Sequence, residues 1–271
     1  MSTPLPDWLP EDIDPETPSV ARIYDYILGG FANFEVDRAI ADGLARTDPD
    51  LIATTRAYRA FLRRVVKHLV AEAGVRQFLD LGSGIPTAGN VHEIAHAIDP
   101  RVRVAYVDID PVAVAIGRQL LTGDSRLTAM RGDITRIEPI LDDPAVTGLL
   151  DFTEPVAVLM LGVLHVIPDR AGPHAIIDRI RERLSAGSYL AISHACNEGP
   201  PELVAKINTV TRSTSTAAVL RSRAEIATLF DGFDLIEPGL VDLPRWNPDE
   251  IPDDIPATLA LGGVAGLATR P

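Results

Sequence analysis

The segment Phe78-Leu79-Asp80-Leu81-Gly82-Ser83-Gly84-Ile85-Pro86 has the pattern of a buried strand that runs into a tight glycine turn. A second segment, Val104-Ala105-Tyr106-Val107-Asp108-Ile109-Asp110-Pro111, has the pattern of another buried strand that ends in an acid. Glycines let the backbone approach a ligand closely, and a carboxylate accepts hydrogen bonds from a ribose diol. Together the two segments predict a nucleotide-type pocket at the carboxyl ends of two parallel strands.

The composition of the glycine turn indicates which kind of nucleotide it holds. A dinucleotide fingerprint requires a third glycine where this chain has Thr87, and it is usually entered from an apolar strand. Here an acid, Asp80, stands two residues before Gly82. The pattern Asp-x-Gly-x-Gly, followed by Asp108 after the next apolar strand, resembles the class I S-adenosylmethionine (SAM) dependent methyltransferases.

From Gln77 onward, apolar segments of strand length alternate with helical segments, which indicates an α/β fold. The predicted strands are Phe78–Leu81, Val102–Val107, Leu127–Arg131, Val156–Leu161 and Tyr189–Ser193, with a final hairpin near Phe233–Val241 and Thr258–Thr269. The predicted helices are Thr87–Ile98, Val112–Leu121, Ile137–Leu141 and His174–Leu184. With the resemblance, this order predicts a Rossmann-like class I methyltransferase fold. Its seven-stranded, mostly parallel sheet has one antiparallel edge strand and helices on both faces.

The N-terminal part divides into two regions. Residues 1–18 are rich in proline and acids, so we expect an extended or disordered segment. Residues 19–73 are expected to form a helical lid, with helices from Val20 to Leu28, Glu35 to Ala45 and Leu51 to Ala73, the first capped by Ser19 and ended by Gly29-Gly30. The third helix carries a basic face, either solvated or open to an acidic partner or second subunit: Arg56, Arg59, Arg63, Arg64 and Lys67. Residues 74–271 then form the SAM-binding domain.

Composition narrows the classes of partner. The chain has 271 residues and a net charge of −13, which disfavours nucleic acid as a substrate because duplex binders need a basic surface. No apolar run reaches the ~18 residues that span a membrane, and the start lacks the pattern of a signal peptide. The single cysteine, Cys196, excludes an internal disulfide framework, so we expect a cytoplasmic protein. The sequence leaves a homo-oligomer open.

A more specific resemblance lies in the N-terminal segment. Residues 19–34, Ser-Val-Ala-Arg-Ile-Tyr-Asp-Tyr-Ile-Leu-Gly-Gly-Phe-Ala-Asn-Phe, are unusual for a generic methyltransferase. Together with Gly84-Ile85-Pro86-Thr87 and Asn90-Val91-His92-Glu93, they resemble a family of SAM-dependent methyltransferases of unassigned substrate, formerly known as a domain of unknown function. The likeness runs from Pro18 to Arg270, and it implies the cofactor without supplying a substrate.

The resemblance and the residue chemistry together imply roles in cofactor binding. Residues expected along the methionine half of SAM are Asp80, Gly82, Ser83 and Gly84, since backbone N–H groups at a helix start hold a carboxylate. Asp108 is expected to accept from the ribose hydroxyls, with Ile109 beside it. Asp110 is an alternative ribose ligand or a cap for the following helix. Asp133 is expected to accept from the adenine amino group with Ile134 against the ring, or else to cap a helix.

The lid offers a second set of candidates. Arg22, Tyr26 and Asn33 flank the Gly29-Gly30 pair and are predicted to contact the bound cofactor, with the glycines as a hinge. The alternative is plain packing of an accessory helix on the sheet. Under the lid hypothesis, Arg22→Ala weakens SAM binding without unfolding the protein.

Catalytic candidates are few. The fourth strand leads to His165, the best candidate for a substrate-facing base or polar anchor, although a lone histidine is more often structural. His194 and Cys196 lie at the end of the fifth predicted strand and could line the same substrate-facing opening as His165. The pattern His92-Glu93-Ile94-Ala95-His96 matches a zinc motif. We expect no metal there, because both histidines lie off the buried face of their helix.

These observations predict a SAM-dependent methyltransferase that acts on a small-molecule acceptor and releases S-adenosylhomocysteine (SAH). Methyl transfer depends mainly on alignment of the nucleophile, so no catalytic triad is required. Two alternatives stay open: a non-catalytic sensor that binds SAM or SAH, and an NAD-dependent oxidoreductase. Asp80 and the missing third glycine count against the oxidoreductase.

Overall fold

The computed structural model describes residues 13–86, 89–211, 217–247, 255–256, 259 and 262–271. Within these ranges three helices precede the sheet: α1 Val20–Ile27, α2 Glu35–Thr47 and α3 Leu51–Ala71. They lie where the sequence predicts them. Residues 1–12 of the predicted extended segment, Thr87 at the predicted start of a helix, and Thr258 at the predicted start of the last strand fall outside the described residues.

The predicted cap of α1 forms differently. Ser19 occupies the N-cap position, but its side chain makes no capping hydrogen bond. Its backbone N–H instead donates to Asp37 Oδ1 at 2.9 Å, so α2 holds the start of α1. The helix ends before Gly29, which has φ +83°, a left-handed conformation that glycine adopts without strain.

Eight strands form one sheet among the described residues. They are β1 Gln77–Leu81, β2 Arg103–Asp108, β3 Leu127–Arg131, β4 Ala157–Leu161, β5 Tyr189–Ala195, β6 Asp234–Leu235, β7 Val241–Asp242 and β8 Gly263–Thr269. The helices after α3 are α4 Val91–His96, α5 Pro111–Leu120, α6 Ile137–Leu141, α7 Pro144–Thr147, α8 Pro173–Arg183, α9 Pro201–Thr211 and α10 Arg223–Thr228.

The strand order is β3-β2-β1-β4-β5-β8-β6, with β7 also paired to β8. The first five strands in chain order are parallel, and β8 runs antiparallel to β5. The expected α/β class and mostly parallel sheet are thus confirmed. The strand count of seven and the edge position of the antiparallel strand were wrong, because β6 and β7 cover the outer side of β8. Pro238 and Gly239 interrupt the predicted strand Phe233–Val241 with a turn and divide it in two.

Helices cover both faces of the sheet. On one face α3 buries Phe61, Val65 and Leu69 completely, in a cluster that includes residues of α4. On the other face α6, α8 and α10 pack in a second cluster around the apolar side chains of β4 and β5. No helix of the described residues is long and apolar enough to cross a membrane.

The basic face predicted for α3 includes one residue that is not solvated. Arg64 is only 3% exposed, and its guanidinium donates to the carbonyl oxygens of Trp246 and Leu243, both at 2.7 Å. The chain after β7 crosses α3 there, and its carbonyl groups need donors once they are buried. Arg63 and Lys67 are exposed, as expected.

Candidate functional site

The glycine turn after β1 is tied to the end of β2 by its own backbone. Gly82 and Gly84 have φ of +76° and +68°, which explains why glycine stands at both positions. The N–H groups of Gly82 and Ser83 both donate to the carbonyl oxygen of Val107, at 2.8 and 3.1 Å. The two predicted segments therefore meet as one rigid edge at the carboxyl ends of neighbouring strands.

Asp108 joins the two halves of this edge. Its Oδ2 accepts from the Gly84 N–H at 2.7 Å, and its Oδ1 accepts from the Asp110 N–H at 2.9 Å. Burial raises the pKa of this carboxyl to about 6, against the lowering effect of the two N–H donors. Each carboxylate oxygen can accept a second hydrogen bond, so Asp108 can still accept from a diol.

The two residues that follow Asp108 in the chain, Ile109 and Asp110, have different environments. Asp110 caps α5, since its Oδ1 accepts from Val112 and Ala113 N–H groups at 2.8 and 3.1 Å. This is one of its two predicted roles. Ile109 is 59% exposed. The Ile109 side chain offers an apolar surface next to the Asp108 carboxylate. A nucleoside whose ribose bonds to the carboxylate could place its base ring against that surface.

Asp80 lies at the end of β1 and is almost fully buried. Burial raises its pKa to about 7 against the lowering effect of the Arg59 guanidinium of α3, and the nearby Asp108 carboxylate contributes to the rise. Arg59 also donates to the carbonyl oxygen of Gly89 at 2.8 Å, beyond the turn. The sequence offered Arg59 only as part of a basic face, whereas the structure places its charge near the carboxylates of the site.

Asp133 and Ile134 follow β3. Asp133 Oδ1 accepts from the N–H and the hydroxyl of Thr135, at 2.9 and 2.7 Å, and so caps a short 3-10 turn, Ile134–Arg136. Ile134 is buried in the core beneath this turn. The capping alternative is therefore observed, and contact of the two residues with adenine stays a prediction.

Arg22 lies at the junction of α1, α2 and α5. It is 3% exposed, and its Nε lies 3.0 Å from Asp37 Oδ2 and 3.8 Å from Asp110 Oδ2. Its guanidinium also donates to the Thr17 carbonyl oxygen and lies over the Phe34 ring. All these partners belong to the chain itself, so its predicted contact with the cofactor stays a prediction.

The other two lid residues also have partners within the N-terminal segment. Asn33 donates to Asp25 Oδ2 at 2.9 Å and to the Gly30 carbonyl oxygen at 3.0 Å, which fixes the glycine turn after α1. Tyr26 Oη lies 3.4 Å from Asp42 Oδ1 of α2. A small apolar cluster joins this segment to the glycine turn and α5, with Ile85, Val112 and Ala113 packed against side chains of the N-terminal segment that include Ala21, Ala32 and Phe34.

The carboxyl end of β4 carries the predicted histidine. His165 lies on a short 3-10 turn, Leu164–Val166, and burial, His194 and Arg221 together lower its pKa to about 3. Its buried Nδ1 has no hydrogen-bond partner within the described ranges. An imidazole with a pKa this far below 7 has little affinity for a proton, so the environment favours a polar anchor over a general base.

Tyr58 of α3 faces His165, with 6.2 Å between the ring centroids. Its buried hydroxyl likewise lacks a hydrogen-bond partner among the residues that the structure describes. The i, i+3, i+4 spacing in the sequence places Tyr58 with Phe61 and Leu62 in an apolar stripe of α3 and indicates no further role for it. The phenol oxygen in that stripe was the signal that could have identified it.

Arg221 is a second residue that sequence reasoning missed. It is buried, donates to His194 Nε2 at 2.9 Å and contacts the exposed Asp169 at 2.6 Å. No motif surrounds Arg221, so the sequence carries no signal for this role. Cys196, at the end of β5, is buried and unpaired in any disulfide.

The zinc-like pattern on α4 has other partners. His92 Nδ1 lies 2.7 Å from Tyr106 Oη, and His96 Nε2 lies 2.8 Å from the Val102 carbonyl oxygen. Within the described part of the chain, no group of three His, Cys, Asp or Glu side chains is placed to hold a metal ion.

Comparison with known proteins agrees with this geometry. A family model described as S-adenosyl methyltransferase matches residues 6–271. A "putative methyltransferase" from Thermobifida fusca YX is 36% identical, with a TM-score of 0.91 over 98% of this chain and 99% of that chain. A DUF574 family protein from Streptomyces avermitilis is also 36% identical, with a TM-score of 0.91 over 95% of this chain and 99% of that one.

A more distant likeness shows the fold alone. Human N-acetylserotonin methyltransferase, solved in complex with SAM, has a TM-score of 0.50 and 18% identity over 91% of this chain and 62% of that chain. A search of curated proteins finds no match. The expected SAM dependence is confirmed by the family match, which supports neither a sensor nor an NAD-dependent oxidoreductase. The chain belongs to the S-adenosyl methyltransferase family.

Proposed function

We propose that this methyltransferase acts on a small-molecule acceptor, held between α3 and the carboxyl ends of β4 and β5. SAM supplies an activated methyl group on a sulfonium. The acceptor's lone pair forms a bond to the methyl carbon, the carbon–sulfur bond breaks with its electron pair left on sulfur, and the acceptor's proton passes to solvent. The chain's part is to align the acceptor and exclude water.

The cofactor is proposed to lie along the edge formed by β1, β2 and β3. Gly82, Ser83 and Gly84 border its methionine half with Asp80, and Asp108 accepts from the ribose. Adenine is proposed to lie between Ile109 and the turn that starts at Asp133 and Ile134. The exposure of Ile109 and the free lone pairs of Asp108 support this placement.

One observation carries the position of the acceptor. A Cβ built on Gly82 would lie 2.4 Å from Val163 Cγ2, so the glycine turn packs directly on Val163, two residues after the end of β4. Val163 is followed at once by the turn that carries His165. A methyl group bound near Gly82 therefore has the β4 turn as its neighbour.

The surroundings favour a small acceptor over a macromolecule. The N-terminal helices and α9 pack on each other, since a Cβ on Gly43 of α2 would lie 3.6 Å from Val210 Cγ1 of α9. The Tyr58 hydroxyl and His165 Nδ1 are buried, so a bulky partner could not reach them. The net charge of −13 also disfavours nucleic acid. A cytoplasmic location, a homo-oligomer and closure of the lid over the cofactor stay predictions.

The experiment is a transfer screen with methyl-labelled SAM against a library of small hydroxyl, amine and thiol compounds. Incorporation of label into a small molecule supports the proposal. Calorimetric titration with SAM and NADH runs beside it, because SAM binding without transfer to any acceptor would instead favour a sensor.

A further inference from the structure

Resting on the proposed function, we propose that Tyr58 Oη and His165 Nδ1 are the groups that recognise the acceptor. The acceptor presents an uncharged O–H or N–H group to His165. Arg221 is the positioning residue that holds the His165 turn and disfavours a cationic acceptor.

The two rings meet at one backbone position. Gly162, at the end of β4, has φ +69°. A Cβ built there would lie 3.7 Å from Tyr58 Cδ1 and 3.8 Å from His165 Cε1. The ring centroids lie 6.2 Å apart, so the two side chains border the same strand end. Because Gly162 has no side chain, no Cβ occupies the position between the two rings.

Both rings carry a buried polar atom that lacks a partner within the described ranges, Tyr58 Oη and His165 Nδ1. A third such atom, Ser193 Oγ, lies on β5, which pairs with β4. Buried polar atoms in folded proteins nearly always find a partner, because an unpaired one is destabilising. Their gathering around one strand end, beside the cofactor turn, indicates that a ligand supplies the partners.

Arg221 holds the His165 turn by its backbone. It donates to the carbonyl oxygens of Leu164 and Ile167 at 2.9 and 3.0 Å, on either side of His165. The carbonyl oxygen of His165 itself accepts from the Val219 N–H at 2.7 Å. The segment that contains Val219 and Arg221 thus fixes the direction in which the imidazole points.

Arg221 also fixes the neighbouring histidine. Because its guanidinium donates to His194 Nε2, the His194 proton must lie on Nδ1, which contacts the Ala195 carbonyl oxygen at 2.7 Å. His194 is therefore neutral and has both nitrogens paired. It cannot compete with His165 for the acceptor.

The charges select an uncharged ligand. A cation would approach the buried guanidinium of Arg221, which is repulsive at low dielectric. A carboxylate would find four donor interactions of Arg221 already taken by Leu164, Ile167, His194 and Asp169. A neutral O–H or N–H group can instead pair with His165 Nδ1 in either imidazole tautomer, and the ligand can also accept a hydrogen bond from Tyr58.

The test uses the full chain labelled with ¹⁵N-histidine and saturated with SAH. Four probes of matched shape are titrated at pH 7: phenol, aniline, benzoate and benzylammonium. We expect phenol and aniline to move the His165 Nδ1 resonance, identified by its loss in His165→Gln. Benzoate and benzylammonium should bind at least tenfold more weakly. The Tyr58→Phe substitution should lower the affinity for phenol about tenfold, which is the effect of losing one hydrogen bond.

Matched controls separate recognition from general damage. Tyr189→Phe, at the amino end of β5, and His174→Gln, on the exposed side of α8, should leave probe binding unchanged. The Arg221→Met substitution should reduce the ratio of phenol affinity to benzylammonium affinity, because it removes the guanidinium that repels a cation. A loss of affinity with the same preference would make Arg221 merely structural and overturn its assigned role.

Equal binding of the charged probes, or no movement of the His165 resonance with any probe, would overturn the recognition proposal. Failure of the unmodified chain to bind SAH would instead contradict the proposed function, so the two failures are distinguishable.

Discussion

The cofactor edge and the acceptor side of this enzyme differ in how their polar groups are satisfied. In the turn after β1, the N–H groups of Gly82, Ser83 and Gly84 are bonded to Val107 and Asp108 of β2. At the end of β4, buried polar atoms of Tyr58 and His165 have no partner among the described residues. The polar groups of the first region are satisfied within the chain, whereas those of the second are proposed to take their partners from a ligand.

This difference explains what each region can be used for. A turn with all its bonds made keeps its shape whether or not a ligand is present, which suits a cofactor that every turnover uses. A region with unmet polar groups discriminates strongly, since a wrong ligand leaves them unpaired. The substitutions below test whether the two regions are as separate as their bonding suggests.

The largest effect is expected from Gly82→Ala. The new Cβ would lie 2.4 Å from Val163 Cγ2 at a backbone φ of +76°, so the cofactor turn must move away from β4. We expect a loss of about 3 kcal/mol in the free energy of unfolding and no measurable SAM binding. Urea unfolding and calorimetry measure the two.

Gly74→Ala is the matched control for this substitution. Gly74 has φ +70° and no atom within 4 Å of a Cβ, so only the backbone strain is added. We expect a cost of about 1 kcal/mol and unchanged SAM affinity. Equal effects at Gly74 and Gly82 would contradict the claim that the turn packs on β4.

Arg22→Ala should come next in size. Without the Arg22 guanidinium, the carboxylates of Asp37 and Asp110 lose the cation that lies near both of them. Asp37 is 0% exposed, so water cannot replace that cation. We expect a loss of about 2–3 kcal/mol in unfolding free energy, more than the lid hypothesis implied. Arg38→Ala, whose side chain is only partly buried and bonds to Asn33, is the control.

SAM affinity decides what the Arg22 result means. Weaker SAM binding in a folded Arg22→Ala protein would support the lid. Unchanged affinity with reduced stability would leave Arg22 as a structural link between α1, α2 and α5.

Asp108→Asn should weaken SAM binding by about tenfold to a hundredfold, the range expected for lost charged hydrogen bonds. An amide has one oxygen, so it cannot accept from both Gly84 and Asp110 and from a ribose diol. Asp143→Asn, at the cap of α7, is the control and should not change the affinity. An equal loss in both variants would contradict the ribose assignment.

The smallest effect is a pH dependence of SAM affinity. Burial raises the pKa of Asp108 to about 6, so below that pH the group is protonated and accepts fewer hydrogen bonds. We expect SAM affinity to fall about fivefold from pH 6 to pH 5, and the fall to be absent in Asp108→Asn. The same raised pKa makes the folded chain without ligand bind the proton more tightly than the unfolded one. The Asp108 contribution to unfolding free energy therefore rises as pH falls from 7 towards 4.

The sequence was most informative where neighbouring residues act together. The turn from Asp80 to Gly84 and the acid Asp108 lie in short segments, and each segment carries its own strand and turn signals. The same locality explains the correct bounds of β3 and α6. The predicted strand Phe233–Val241 was wrong around Pro238, because a proline has no N–H to donate to a strand ladder and the chain turns there.

The acceptor side was less predictable because it is assembled from distant elements. Tyr58 comes from α3, His165 from the β4 turn, and Arg221 from the segment before α10. Periodicity assigns Tyr58 to a buried face but does not say which atom of another strand it meets. The prediction that Arg64 lies on an accessible basic face was wrong for the same reason. Its carbonyl partners at Leu243 and Trp246 are distant in sequence and become neighbours only through the fold.

Calorimetric titration of SAM into the unmodified chain, Asp108→Asn and Tyr58→Phe tests the separation of the two regions most directly. We predict about one saturable site per chain, weakened at least tenfold in Asp108→Asn and unchanged in Tyr58→Phe. Absence of SAM binding in the unmodified chain, or an equal loss in both variants, would contradict a cofactor edge that is complete without the acceptor side.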